Sequence, residues 1–362
     1  MQSNKLRNHI PIAAPARRSA ADGSESDLRV SLGFEPRWFY ERCDVDFSEK
    51  WHKDPHYRHR TLVEMKDLLT EKFPSTDYWD EEEYKDGLWT ISGCYGAYVI
   101  PKAFGFDLKY EPDRWPDLAK ENEKLSLEEM REVTVEDFLA TPLMDDIFEQ
   151  MEVIEKEGGK IPGYLNWQGV LNNAFHLRGE KIFTDFYTNG EAAHHLLSVI
   201  AEAMIALAQQ VQERQRESGF YVDHFVVSNC TVNMISPETY KEFIYPYDKK
   251  IGGEFERFGV HTCNWDVTPY LDELRELPQV GYLDMGMNSD MVQAKAKFPR
   301  ARRAVLYSPE KLDQAPLEKI EEDMGKIYED LGPCDLVMAD IKSDTPDERV
   351  RELLRICREL RR

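Results

Sequence analysis

The sequence predicts an α/β protein, a (β/α)8 TIM barrel with an N-terminal helical extension. Three observations point there. From about residue 126 onward, short β-rich runs alternate with helical runs, as a parallel sheet with crossover helices requires. Six such units follow one another without interruption, which favours a closed barrel over an open doubly wound sheet. No GxGxxG or P-loop follows any expected strand, which removes the usual nucleotide-binding alternative.

Residues 1–30 carry Pro, Ala, Ser, Gly and basic residues without periodicity and are expected to form an arm. Residues 31–125 are read as a cap plus the first barrel elements. Within them Leu62, Met65, Leu68 and Leu69 fall at helical spacing over 60–73, Leu88–Ser92 suits a short strand, and a stretch rich in Pro and Trp follows at 101–117. Residues 126–362 form the remainder of the barrel, a single domain spanning about 60–362. Helix 142–157 precedes strand 161–167. Helix 190–217 starts after Asn189-Gly190, ends before Gly219 and leads to strand 223–229. The next helix opens at Ser236-Pro237-Glu238, where serine can cap and proline suits the first turn. Strands 259–263, 280–284, 303–307 and 334–341 follow, each leading to a helix: 268–277, 289–297, 315–331 and 346–360.

A chain of 362 residues with 41 % hydrophobic residues is long and apolar enough for one large core. Its formal net charge of -22 repels nucleic-acid phosphates and anionic lipid, so neither is expected as a partner. No uninterrupted apolar run approaches the roughly 18 residues of a membrane span, and the N-terminus lacks a signal-peptide pattern. A cytoplasmic location is expected. The six cysteines have no disulfide-scaffold spacing, so a cluster among them suggests metal binding or catalysis.

Catalytic groups of such barrels sit where strands leave the C-terminal face. The strand ends deliver Asn166, Trp167 and Gln168; Asn229 and Cys230; His261 and Cys263, with Asn264 beside them; Asp284; Tyr307 and Ser308; and Asp340. His261 and Cys263, two positions apart on one strand, would face the same way and share one ion. Zinc takes such S and N donors, and Cys230, Asp284 and Asp340 are candidates to complete the shell. Zinc would hold a substrate thiol as its thiolate, a nucleophile toward a methyl donor. Asp284, Asp340, Tyr307 and Asn229 are the candidate catalytic groups; Asn166, Trp167, Gln168 and Asn264 are candidates for holding substrate. His194 and His195, adjacent on a helix, point about 100° apart and are read as structural. His52, His56 and His59 and the acidic run Asp80–Glu83 are read as solvated surface.

The segments SPETYKEFIYPYDKKI (236–251), GVHTC (259–263) and DTPDE (344–348), with AFGFDLKYEP (103–112) and LRGEKIFTDFY (177–187), resemble the uroporphyrinogen-decarboxylase superfamily over about 90–360. The His-x-Cys element resembles the zinc motif of its corrinoid:coenzyme M methyltransferase branch. That resemblance implies a small-molecule substrate, a thiol acceptor, His261 and Cys263 as zinc ligands, and a homodimer. The family's third ligand, a cysteine, aligns with Ala339 or Asp340, so Asp340 or Cys230 is expected to replace it. Cys334 is set aside because it begins its strand, roughly 20 Å from the site. No DxHxxG motif is present, so a corrinoid would arrive on a separate protein. The decarboxylase branch carries an Arg-rich N-terminal segment; here FEPRWFYER (34–42) matches it poorly, leaving Arg37, Arg42 and Arg178 as grips for substrate carboxylates. A decarboxylase and a non-catalytic ligand-binding barrel are the two alternatives.

Overall fold

The computed structural model describes residues 21, 23, 28–74 and 88–360. The acidic run at 80–83 and nearly all of the expected arm lie outside the described residues. Six parallel strands form the central sheet in the order β1 (Leu28–Phe34), β8 (Cys334–Ile341), β7 (Arg302–Tyr307), β6 (Val280–Gly286), β5 (Arg257–His261) and β4 (His224–Ser228). A separate antiparallel hairpin, β2 (Leu108–Glu111) and β3 (Arg114–Leu118), stands outside it.

The sequence placed β1 at the junction of arm and cap. It is instead an edge of the sheet, paired in parallel with β8 from Leu28↔Cys334 to Phe34↔Ile341. Its apolar residues Leu28, Val30, Leu32 and Phe34 alternate with Arg29, Ser31 and Gly33, and every residue but Arg29 is buried. Two expected strands do not form as regular strands. Residues 161–167 and 88–92 run extended past one another, with the Ile91 N–H donating to the Pro162 carbonyl at 3.1 Å. Proline at 162 removes a ladder donor. Gly163 has φ +116, and a Cβ there would run into Thr90 and the Ile91 and Ser92 backbone. The segment touches the sheet through a single bridge, Gln168↔Ser228. Hydrogen bonding among the described residues therefore makes a six-stranded parallel sheet and does not close the ring.

Helices alternate with the strands as the pattern required: Leu143–Gly158, Gly190–Glu217, Met291–Lys297, Leu317–Leu331 and Asp347–Leu360. Helix Gly190–Glu217 is long and apolar enough to cross a bilayer by length and composition, yet 61 % of that window is buried inside the fold. Its Leu196, Leu197, Ile200, Met204 and Leu207 belong to the core. His194 stacks on Phe243 and bonds Tyr247, while His195 bonds the Val133 carbonyl, so both are structural. Ser236 caps the next helix by accepting from the Thr239 N–H. That helix passes through a π turn at Tyr240–Ile244 before Pro246, whose missing N–H breaks the normal bonding register.

At the N-terminal ends of β7 and β8, Arg302 and Asp335 form a fully buried ion pair at 2.8 Å. Cys334 is buried at the same end, away from the cavity described below. His52 and His59 are not surface groups. His52 is completely buried beside Trp51, Tyr110 and Trp115, and burial, aided by Arg58, pushes its pKa down to about 3. His59 stacks on Trp89 with centroids 4.1 Å apart.

Candidate metal centre and its cavity

Strand register brings the donors together. β4 and β5 pair with Ser228 opposite His261, and the Asn229 N–H extends the ladder to the His261 carbonyl at 2.7 Å. Cys230 and Cys263 thus leave neighbouring strands at equal height, each two residues beyond a paired position. Cys263 Sγ lies 2.8 Å from Cys230 Sγ and 3.2 Å from His261 Nε2. Ligand atoms of all three residues fall within 4.8 Å of one another.

Cys263 is not on the strand, which ends at His261. It adopts the left-handed conformation, φ +59. Such backbone costs a non-glycine residue about 1 kcal/mol and needs support from its surroundings. Asp284 of β6 supplies it. Pairing of Val260 with Leu283 sets His261 beside Asp284. The Asp284 carboxylate accepts from the Thr262 N–H at 2.6 Å, and the Thr262 hydroxyl donates to the Asp284 carbonyl at 2.6 Å. Gly286 makes room above: a Cβ there would strike the Asn264 carbonyl.

The same carboxylate orients the imidazole. Asp284 Oδ2 is 2.6 Å from His261 Nδ1 and accepts from the Tyr282 hydroxyl at 2.8 Å. This leaves Nε2 facing the two sulfurs, the carboxylate–histidine arrangement that orients metal-binding imidazoles. Burial opposes charge on His261, but Asp284 and Cys230 outweigh it and lift its pKa to about 9. Cys230 is held well below the ordinary thiol value, first by the hydrogen bond from Cys263, against burial, and also by His261. Two sulfurs and one oriented imidazole nitrogen converging on one point form a donor set suited to zinc. Cys230, His261 and Cys263 are the residues that would hold the ion. Of the two residues weighed as the replacement ligand, Cys230 joins the cluster, while Asp340 lies on the cavity wall.

The three donors open onto a cavity of about 560 Å3. Asn166, Gln168, Asn264 and Asp340 line it, as does Ser308. Asn166 Oδ1 accepts from Gln168 and from Ser228, both at 3.2 Å, so these polar groups are fixed in place. Asp340 is exposed at the end of β8; neighbouring protein atoms, with Glu35 nearby, push its carboxyl up to about 6 against the pull of His261.

Three candidate residues stand elsewhere, and a fourth, Tyr307, turns its hydroxyl away. Trp167 alternates with Asn166 and Gln168 and so faces the other way, stacked on Phe225 with centroids 5.6 Å apart. Tyr307 borders the cavity, but its hydroxyl points outward and donates to Asp323 at 2.9 Å. Asn229 is buried and donates to Asp248 at 2.8 Å, tucked against Gly169, where a Cβ would collide with its Oδ1. Asp284 is fully buried behind the imidazole and does not reach the cavity.

The sequence reading missed Tyr98, Trp115 and Tyr164, which complete the wall with the glycine turn at Gly93 and Gly96. The Pro- and Trp-rich stretch hinted at Trp115, and the spaced glycines hinted at a close turn, where Tyr95 and Gly96 both take positive φ. None of the three decarboxylase grips lines the cavity. Arg37 pairs with the exposed Glu41, Arg42 bonds the Ser343 carbonyl, and Arg178 is buried against Asp185. Among the described lining residues there is no Lys or Arg.

A parallel α/β sheet with a Cys–His–Cys cluster at its C-terminal edge is the class this geometry defines. The chain belongs to the uroporphyrinogen decarboxylase (URO-D) family, whose model matches residues 91–360. In structure it is similar to a methyltransferase from Methanosarcina mazei, with a TM-score of 0.64 and 17 % identity over 95 % of both chains. That likeness is one of fold. No curated protein matches the chain in sequence.

Proposed function

We propose that the protein is a zinc-dependent methyltransferase, acting on a small methylated compound or a methyl-corrinoid carried by a separate protein, with a thiol as acceptor. The observation that carries this is the convergence of Cys230, His261 and Cys263 at the cavity, with Asp284 orienting the imidazole. Zinc bound there would supply Lewis acidity that keeps an acceptor thiol deprotonated at neutral pH. The chain's own residues do the rest. Asp284 holds the proton on His261 Nδ1 and so reserves Nε2 for the ion. Asn166, Gln168 and Asn264 offer amide donors and acceptors to position the substrate.

A decarboxylase of a polycarboxylate would need cations facing its substrate, and the described cavity wall offers none. A closed (β/α)8 barrel, a homodimeric assembly and a cytoplasmic location belong to the same proposal; a reducing compartment keeps the two cysteines reduced, as metal binding requires. The test is methyl transfer from methylcobalamin to assorted thiols, using protein never exposed to chelator. Turnover that disappears on chelation and returns with zinc supports the proposal. Turnover unaffected by complete metal removal contradicts it.

A further inference from the structure

Apart from the Cys–His–Cys cluster, the cavity wall has an unusual balance of charge. Asp340 is the only other described lining residue with an ionisable acid or base of full charge, and no described residue pairs or hydrogen-bonds with its carboxyl. It is held in the left-handed conformation, φ +50, at the end of β8. Glu35 adds to the negative potential, with its own carboxylate accepting from the Ser343 N–H. Asp340 is exposed at the cavity, and the pull of His261 offsets only part of what neighbouring protein atoms and Glu35 do to its carboxyl, so a cation entering beside it is stabilised.

The remaining wall has the surface such a cation prefers. Tyr98, Trp115, Tyr164 and Tyr307 all border the cavity. The three phenols have partners in the protein: Tyr98 with Asp117 at an exposed position, Tyr164 with the Val226 carbonyl, Tyr307 with Asp323. Tyr307 is buried with Lys311 already over its ring at 5.6 Å, so Tyr98, Trp115 and Tyr164 are the aromatic lining residues left to meet a cation. Aromatic carbon attracts alkylated ammonium ions, whose spread charge is cheap to strip of water.

We infer that the cavity binds a small quaternary methylammonium cation, held by Asp340 and the aromatic wall, and that this cation is the methyl donor. The donor role rests on the methyl transfer proposed above; the binding does not. In the transfer, the acceptor thiolate uses a sulfur electron pair to bond the methyl carbon. The carbon–nitrogen bond breaks with its pair kept by nitrogen, leaving a neutral tertiary amine and a thioether. No electrons are gained or lost overall, and one positive and one negative charge are removed together.

Choline and its neutral isostere 3,3-dimethyl-1-butanol separate charge from shape. Titrated calorimetrically into the purified protein, choline should bind about tenfold tighter or better. Asp340→Asn should reduce that preference several-fold while leaving the affinity for the neutral alcohol unchanged. Equal binding of the two probes, or a preference that Asp340→Asn does not alter, overturns the inference. Zinc content of the same samples keeps the two proposals apart. Zinc-loaded protein without cation preference sinks this inference alone. Zinc-free protein that still prefers choline upholds the cation site and counts against the metal centre.

Discussion

On one side of the cavity, β4 and β5 deliver Cys230, His261 and Cys263 from adjacent parallel strands in register. On the other, Trp115 comes from a hairpin outside the sheet, and Tyr98 and the glycines at 93 and 96 come from an irregular turn. The regular side follows from strand pairing: His261 ends β5, Cys230 and Cys263 lie two residues beyond paired positions, and Asp284 on the next strand holds His261 and the Thr262 backbone next to Cys263. The irregular side is shaped by local glycine turns and aromatic packing. The chemistry therefore sits on ladder geometry, and the shape of the ligand space sits on loops, the usual division between scaffold and specificity.

If the regular side carries the metal, its thiols are the most sensitive place to break. Cys230→Ser and Cys263→Ser should each lower bound zinc from about one equivalent to below roughly a tenth, read by elemental analysis, with transfer activity lost. Retention of full zinc by both variants would move the centre elsewhere. Asp284→Asn keeps the shape but weakens the brace; metal affinity should fall by about 10–100-fold in competition titrations against a chelator dye. An unchanged affinity would reduce Asp284 to a packing role.

A third prediction concerns the buried support beneath the centre. Asp248 accepts from Asn229 and from the Tyr240 hydroxyl at 3.0 Å, yet burial pushes its pKa up from 3.8 to about 7. The folded state thus keeps this proton to higher pH than the unfolded chain does. Its contribution to stability is fully present below about pH 4 and is lost as pH rises toward 7. Relative to the wild type, Asp248→Asn should be progressively more stable as pH increases across that window, measured by denaturant unfolding at several pH values. Parallel curves for the two proteins would show that Asp248 does not titrate there. The smallest effect is expected at Tyr307→Phe, which deletes only the bond to Asp323. It should cost about 1 kcal/mol of stability and leave turnover within about threefold. A large fall in turnover at unchanged stability would return the phenol to the chemistry.

The same contrast explains what was legible in the sequence. His261 and Cys263 could be singled out because a β-rich run ending in His-x-Cys places soft donors at a strand end. Cys230 was proposed to share their ion, but the choice between it, Asp284 and Asp340 stayed open, since the match of Ser228 with His261 is a tertiary register that no local pattern encodes. Trp167 was misjudged because a position near a strand end says nothing of which face it presents; alternation with Asn166 and Gln168 decides that. Asp284 carried the right residue type for the site, but only the structure shows its carboxylate spent on Nδ1 and the Thr262 backbone. β1 alternates as a strand should, at Leu28, Val30, Leu32 and Phe34, but falls across the boundary drawn between arm and cap, and residues 161–167 looked like a strand until Pro162 and Gly163 are seen to break its pairing. Tyr98 and Trp115 were the least legible, because loop residues reach the cavity through folding that leaves no period in the sequence.

X-ray absorption at the metal edge, on protein purified without chelator, tests the central claim most directly. Convergence of Cys230, Cys263 and His261 predicts a zinc shell containing two sulfurs at about 2.3 Å and one imidazole nitrogen at about 2.0 Å. A shell of oxygen and nitrogen without sulfur, or no stoichiometric metal at all, would contradict it.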